Sequence, residues 1–85
     1  MGADMIVRVK LFAVAKERAN CEELAVELQN GATVSDLRQA MSAVCPALAN
    51  ILPHAMWAVD TAYANDKTKI TEQSEIALIP PVSGG

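Results

Sequence analysis

The stretch Met5-Ile6-Val7-Arg8-Val9-Lys10-Leu11-Phe12 sets the pattern from which the fold of this chain follows. Its residues alternate between two faces, one made of Met5, Val7, Val9 and Leu11 and the other of Ile6, Arg8, Lys10 and Phe12. A period of two that is rich in β-branched residues is typical of a half-buried strand. We therefore predict that the chain opens with a strand that turns its first face toward a core.

A second alternating stretch runs from Glu22 to Leu28 and predicts a strand with three inward residues, Leu24, Val26 and Leu28. Its outer face carries Glu23 and Glu27, whereas that of the first strand carries Arg8 and Lys10. Opposite charges across neighbouring strands favour pairing, so we predict an antiparallel hairpin. The intervening segment 13–20 is too short for a helix that is stable by itself. We expect a single helical turn followed by a loop.

The period changes after the turn signal Asn30-Gly31. Thr33 is a suitable N-cap, and Asp36 stands three residues later, as in a capping box. From Val34 onward the apolar residues follow helical spacing, at Leu37, Ala40, Met41 and Val44. Pro46 should end this helix, because a residue that precedes proline leaves the helical region.

The remaining chain predicts shorter elements. We expect a helical turn within 47–52 before Pro53, a central strand at 56–59, a polar connection at 60–66 that contains Tyr63, an edge strand at 67–71 and a last strand at 75–79. The fold class is therefore α+β, a mixed sheet of four to five strands with one main helix packed on one face. The expected organisation is a flexible leader at 1–4, a domain at 5–79 and an extended functional tail at 80–85.

Composition excludes several classes of function. The chain of 85 residues has a net charge of −3 and no cluster of cations, which argues against nucleic-acid binding. No apolar run approaches the ~20 residues that span a bilayer, and residues 1–4 do not resemble a signal peptide. Cys21 and Cys45 are isolated thiols that fit neither a disulfide framework nor a zinc site, and they point to the cytoplasm.

The sequence contains no coherent catalytic or metal site. His54 is the only histidine, and it has no nucleophile or carboxylate at a telling spacing, so we interpret it as a loop residue. No phosphate-binding glycine loop is present, and Asp60 and Asp66 are not at a helical spacing that would suggest an acid–base pair. Any chemistry of this chain therefore has to depend on another feature.

That feature is the ending Pro80-Pro81-Val82-Ser83-Gly84-Gly85. Six extended residues reach up to ~20 Å, and two glycines pass through a narrow channel without a side-chain clash. The carboxylate of Gly85 is ionised, because the ordinary pKa of such a group is about 3.5. A carboxylate reacts with nucleophiles only after activation, for which a nucleotide is suitable. We therefore predict that partner enzymes act on Gly85.

The segment Ile76-Ala77-Leu78-Ile79 with this ending closely resembles the C-terminus of the sulfur-carrier subunits of molybdopterin synthase, the MoaD-like family of the MoaD/ThiS group. Weaker likenesses lie at 7–13, 32–38 and 58–60, so the resemblance covers about residues 5 to 85. The turn at 72–75 departs from it, because relatives commonly have a glycine there. A turn that needs a positive φ would be disfavoured at this position.

The resemblance implies a ubiquitin-like β-grasp fold and a sulfur-carrying role. It implies that a ubiquitin-activating-like adenylyltransferase adenylates Gly85 with ATP and that a sulfurtransferase converts the acyl-adenylate to a thiocarboxylate. The large synthase subunit would then transfer the sulfur to cyclic pyranopterin monophosphate. Gly84 would be the hinge, no cofactor would be bound permanently, and the partner-binding tail would comprise Leu78, Ile79, Pro80, Pro81, Val82, Ser83 and Gly84.

Two other functions share the Gly-Gly ending. One is a sulfur carrier for thiamin thiazole or another thiolation route, against which Pro80-Pro81-Val82-Ser83 argues. The other is a protein modifier that forms an isopeptide bond through Gly85, or a plain ubiquitin-like interaction module.

Overall fold

A computed structural model describes residues 5–81 of the chain. Five strands form one mixed sheet in the order β2-β1-β5-β3-β4, with two α-helices among them. The elements are β1 (Met5–Leu11), α1 (Ala13–Ala19), β2 (Glu23–Leu28), α2 (Val34–Val44), β3 (Met56–Val59), β4 (Ala62–Ala64) and β5 (Ile76–Ile79). The predicted α+β class is confirmed. No helix in this part of the chain is long and apolar enough to cross a membrane.

The opening hairpin is confirmed. Strands β1 and β2 pair antiparallel, and Lys10 lies opposite Glu23. The burial of β1 alternates strictly, with its four odd-numbered residues buried. An ion pair joins Arg8 Nη1 to Glu23 Oε1 at 3.4 Å across the outer face of the sheet. Hydrophobic patterning therefore determines which face is buried, while the charges contribute to pairing on the other face.

The main helix, α2, begins at the predicted cap. The Thr33 hydroxyl accepts a hydrogen bond from the Asp36 backbone N–H, and an Asp36 carboxylate oxygen accepts one from the Thr33 backbone N–H at 2.9 Å. Leu37 and Met41 are fully buried. The helix ends at Val44, two residues before Pro46. It packs Leu37 and Met41 against the sheet as predicted, but Val44, the last residue of the predicted stripe, is 53% exposed.

The segment after β1 was predicted wrongly, because residues 13–19 form a helix, α1, of two turns. Its stability depends on tertiary contacts. Ala15 is completely buried, and α1 packs against β5 and the turn that follows α2. Asn20 ends the helix in the left-handed conformation, at φ 59°, and its N–H bonds to the Lys16 carbonyl. Packing against these elements stabilises a helix of seven residues that would not be stable in isolation.

The prediction for residues 60–71 was also wrong, because the fourth strand lies earlier than expected. Asp60 and Thr61 both have positive φ, 53° and 69°, and turn the chain directly from β3 into β4. Tyr63 therefore belongs to a strand, and β4 is the edge of the sheet. The expected edge strand at 67–71 is reduced to a single bridge between Lys69 and Thr33. Ile70, beside that bridge, is buried in the core.

Smaller differences lie at two turns. The predicted helical turn at 47–52 becomes two 3₁₀ turns, Pro46–Leu48 and Leu52–His54, and Pro53 lies inside the second. The turn before β5 has no residue with positive φ. Instead, the Thr71 N–H donates to the Ser74 hydroxyl at 3.0 Å and the Ser74 N–H donates to the Thr71 carbonyl. The absence of a glycine at 72–75 is therefore accommodated without strain.

Candidate functional site

Strand β5 positions the start of the C-terminal segment. It is the central strand, parallel to β1 on one side and antiparallel to β3 on the other. Ile76 and Leu78 are buried, at 2% and 0% exposure, among the largest side chains of the core. The C-terminal segment is therefore held by two hydrogen-bonded ladders and by packing.

The chain leaves the sheet at the two prolines. The last residue pair of the ladder joins Ile79 to Met56. Pro80 is buried and Pro81 is exposed, and neither can donate to a ladder because proline has no N–H. Of the predicted site residues, Leu78 lies inside the core and Ile79 is half-buried, whereas Pro81 is accessible. Val82, Ser83, Gly84 and Gly85 lie outside the described residues, as does the predicted leader, and their roles stay predictions.

An apolar surface surrounds this exit on the outer face of the sheet, the face that α2 does not cover. Phe12, Met56 and Tyr63 are 48%, 52% and 72% exposed. We call this surface the root patch and define it by six residues, Phe12, Met56, Ala58, Tyr63, Ala77 and Ile79.

Strand register explains why these residues adjoin. Tyr63 lies opposite Ala58, and Ala58 lies opposite Ala77, so one row crosses three strands. Met56 lies opposite Ile79 in the next row. The parallel register pairs Leu11 with Leu78, and one further extended residue places Phe12 level with Ile79. Contiguous exposed apolar residues commonly mark an interaction site.

A cation borders the patch. Lys10 lies level with Ala77 on the neighbouring strand, and a shallow hollow of about 130 Å³ lies among Lys10, Ala58, Thr61, Glu75 and Ala77. Arg8, two residues earlier on the same face, is paired with Glu23. The outer face therefore changes from apolar at β3, β4 and β5 to charged at β1 and β2.

Sequence reasoning missed most of the root patch. The run Met56-Trp57-Ala58-Val59 was predicted only as a central strand, whereas its residues alternate and only Trp57 and Val59 are buried. Tyr63 was assigned to a connection and Phe12 only to the outer face of β1. The available signal was the strict alternation of each strand, but joining the exposed residues into one surface required the strand order.

A cleft of about 430 Å³ lies beside the patch, lined by Arg38, Pro53, Ala55, Met56, Trp57, Ala64 and Asp66. Arg38 Nη1 donates to Asp66 Oδ1 at 2.7 Å, which ties α2 to the connection after β4. This hydrogen bond holds the pKa of Asp66 below, and that of Arg38 above, its ordinary value. The Trp57 indole N–H is buried without an acceptor in the described part of the chain.

Residues 5–81 contain no group of three or more side chains that could hold a metal ion. His54 is exposed on a 3₁₀ turn, and Cys21 and Cys45 are half-buried free thiols. The described part of the chain therefore offers an anchored strand, an apolar surface and an exit for the C-terminal segment.

Comparisons with known proteins agree with this architecture. The model of the ThiS family matches residues 9–85. A molybdopterin synthase sulfur carrier subunit of Chlamydomonas reinhardtii is 35% identical, over 95% of this chain and 100% of that protein. A protein of the same name from Caenorhabditis briggsae is 37% identical, over 93% and 96%. The crystal structure of SAMP1 from Haloferax volcanii superposes with a TM-score of 0.82 at 30% identity, over 94% of this chain and 99% of that one.

Proposed function

The chain belongs to the ThiS family, and from this membership we propose that it carries sulfur for a molybdopterin synthase on the carboxylate of Gly85. The observation that carries the proposal is the match over nearly the whole chain to sulfur carrier subunits of that synthase. The anchored β5 and the exit at Pro80-Pro81 support it, because a carrier has to present its terminus away from its own core.

The proposed chemistry has three steps, all on partner proteins. In the first, a Gly85 carboxylate oxygen attacks the α-phosphorus of ATP and expels pyrophosphate, which leaves an acyl-adenylate. In the second, a hydrosulfide-equivalent nucleophile from a sulfurtransferase attacks the acyl carbon and displaces AMP, so that sulfur replaces one carboxylate oxygen. In the third, the thiocarboxylate sulfur attacks a carbon of cyclic pyranopterin monophosphate in the large synthase subunit and displaces an oxygen substituent. Water then cleaves the resulting thioester, which leaves the sulfur on the pterin and returns Gly85 to a carboxylate.

On this proposal the chain is not an enzyme by itself and binds no cofactor permanently. Activating a carboxylate needs a nucleotide site, usually built from backbone N–H groups in a glycine-rich loop. Residues 5–81 contain no such loop, and their one described glycine, Gly31, lies in the turn after β2. The catalytic groups are therefore assigned to the adenylyltransferase and the large subunit.

The root patch is proposed as the surface that both partners recognise. A partner that draws the tail into its active site has to contact the surface from which the tail leaves. Apolar, partly aromatic centres with a polar rim are characteristic of protein interfaces, and Phe12, Met56 and Tyr63 with neighbouring Lys10 fit that description. The tail alone would provide little contact area, and the root patch would add to it, because stable interfaces need a larger surface than one short segment.

Intact-mass analysis tests the proposal. Protein isolated from cells that contain the activating pathway should show the mass increase of one oxygen-to-sulfur exchange, and fragmentation should locate it at Gly85. Mixing this protein with a large synthase subunit and cyclic pyranopterin monophosphate should then yield molybdopterin. Sulfur loading without molybdopterin formation would favour a carrier for thiamin thiazole. An unaltered Gly85 in the presence of the pathway would contradict a carrier role.

A protein modifier is the second candidate, and the likeness to SAMP1 favours it, because that protein is a small archaeal modifier protein. A modifier and a carrier would share adenylation of Gly85 but differ in the nucleophile, a lysine amine in place of sulfur. Persistent conjugates of this chain, joined through Gly85 to lysines of other proteins, would support the modifier.

Met56 provides a direct test of the root patch. We expect Met56→Lys to raise the Kd for the large subunit by at least about tenfold, because a charge at the centre of an apolar interface loses its hydration. Ile6→Lys is the matched control. Ile6 is similarly exposed, at 54% against 52% for Met56. It lies on β1, six residues before Phe12 and therefore about 20 Å from Phe12. Calorimetric titration of both variants gives the comparison, and equal affinities would show that the patch is not the docking surface.

A further inference from the structure

Strand β2 forms one edge of the sheet, and its free side carries unpaired backbone groups. The β1–β2 register joins Val9 to Leu24 and Val7 to Val26, and the Leu11 N–H donates to the Glu22 carbonyl at 2.9 Å. In an antiparallel ladder, hydrogen-bonded pairs alternate with non-hydrogen-bonded pairs. The even-numbered residues of β2 therefore direct their backbone groups toward β1.

The odd-numbered residues of β2 direct theirs to the opposite side. The N–H and C=O groups of Glu23, Ala25 and Glu27 consequently point to the open edge. The same alternation is visible on β1, where the Ile6 N–H points away from β2 and bonds to a Glu72 carboxylate oxygen at 3.3 Å. No corresponding acceptor or donor covers the edge of β2 in the described part of the chain. Such an edge is a template for another strand.

The charges along this edge select what can pair with it. Glu23, Ala25 and Glu27 are all exposed on the outer face. Arg8 partly neutralises Glu23 at 3.4 Å, but Glu27 forms no ion pair with any described residue. A second copy of this chain, paired about Ala25, would put Glu23 opposite Glu27 twice. Like charges directly opposite each other destabilise a strand pair, so self-pairing is disfavoured.

We propose that the β2 edge binds an extended, basic segment of a partner protein by adding it as a sixth strand. The two carboxylates lie four residues apart on one face, so the segment carries Lys or Arg at positions one and five. Its second and fourth residues lie on the inner face beside the half-buried Leu24, where apolar side chains are favoured. The recognised pattern is therefore basic-apolar-any-apolar-basic.

This inference goes beyond the proposed function and does not depend on it. Strand β1 separates β2 from β5, so the edge lies about 10 Å from the strand that leads to the tail. A strand added to β2 would extend the sheet away from the root patch. The chain could therefore bind one partner at this edge while its C-terminus occupies the active site of another.

A hairpin peptide tests the proposal. The probe has twelve residues, an Asn-Gly turn and one outward strand that reads Lys-Val-Thr-Val-Lys, because preorganisation reduces the ordering cost of binding. NMR titration should shift the backbone amides of Glu23, Ala25 and Glu27 and slow their hydrogen exchange several-fold. The amides of Leu24 and Val26, which face β1, should change less. Shifts centred on another surface, or no shift at millimolar peptide, would overturn the proposal.

Charge exchange provides the matched control. A hairpin with Glu in place of both Lys should not bind the natural protein, and it should bind the variant Glu23→Lys, Glu27→Lys. The double variant Glu23→Gln, Glu27→Gln should raise the Kd for the Lys hairpin about fivefold or more. All four substitutions are at exposed positions, so the fold should be retained and amide spectra will show it. Equal binding of both hairpins to the natural protein would also overturn the proposal.

Discussion

Deleting Gly85 is expected to abolish sulfur loading while leaving the domain folded. The remaining carboxylate, on Gly84, would fall one residue short, about 3.5 Å in an extended segment. Acyl activation requires the reacting atoms within roughly 3–3.5 Å of each other, and an error of ~1 Å can reduce the rate about 100-fold. A whole missing residue should therefore leave no detectable thiocarboxylate. Intact-mass analysis after incubation with the adenylyltransferase, the sulfurtransferase and ATP measures it.

Folding is the necessary control for this deletion. The last buried residue of the described chain is Pro80, and the paired strands end at Ile79. We therefore expect the free energy of unfolding to change by less than about 0.5 kcal/mol, as for other changes away from the core. Loss of loading together with unfolding would mean that the C-terminal residues serve structure, and loading of the shortened chain would contradict the role of Gly85.

A second variant, Gly85→Ala, distinguishes the position of the terminal carboxylate from the width of the partner's channel. It keeps the carboxylate at its position in the chain and adds one methyl group beside it. If the tail passes through a narrow channel, loading should slow without disappearing, because the added Cβ meets the channel wall. Equal rates for Gly85→Ala and the natural protein would show that the partner's channel is wide. The deletion would still test the position of the carboxylate.

The sequence predicted the elements whose stabilising interactions are local or periodic, and it missed those that depend on contacts with distant residues. Strands β1 and β2 and helix α2 were predicted because their periodicity records which face is buried, and the Thr33 cap is a local interaction. Helix α1 was missed because its stability comes from the burial of Ala15 against other elements. Such contacts leave no periodic signal in seven residues.

Strand β4 was missed for a different reason. Two-residue hairpin turns with positive φ at both positions favour Asn-Gly, whereas this chain uses Asp60 and Thr61. A β-branched residue such as Thr61 is uncommon at positive φ. Here two hydrogen bonds hold Asp60, its neighbour in the turn. The Asp60 N–H donates to the Glu75 carbonyl at 2.8 Å, and the Glu75 N–H donates to Asp60 Oδ1 at 2.9 Å. Contacts with a residue fifteen positions away fix the turn.

The candidate site was also predicted only in part from the sequence. The terminal motif is a linear feature, so its resemblance to a family could be recognised from the letters alone. The root patch is a feature of topology. Met56 and Tyr63 lie on two different strands and Phe12 directly follows a third, and the order β1-β5-β3-β4 brings them to one surface. Periodicity predicts the exposed face of each strand, but strand order decides which exposed residues become neighbours.

Replacing Leu78 with alanine should produce the largest loss of stability at the base of the tail. Leu78 has no exposed surface and lies on the central strand, between Leu11 and Trp57. Truncating a buried leucine commonly costs about 2–5 kcal/mol, from lost burial and from the cavity left behind. A domain of this size has roughly 4–13 kcal/mol in total. Urea denaturation should therefore show a much lower midpoint with an unchanged slope.

Ile79→Ala is the matched control, on the same strand but on the outer, half-buried face. It should cost less, because less apolar area returns to water. The two variants should also differ in function. Leu78→Ala should reduce loading only in proportion to its unfolded fraction, whereas Ile79→Ala removes part of the root patch and should weaken partner binding in fully folded protein. If Leu78→Ala weakened partner binding with its stability intact, Leu78 would be a contact residue, as its place in the predicted tail implies. If both effects appear as expected, β5 has two separable roles, its inner face anchoring the tail and its outer face presenting it.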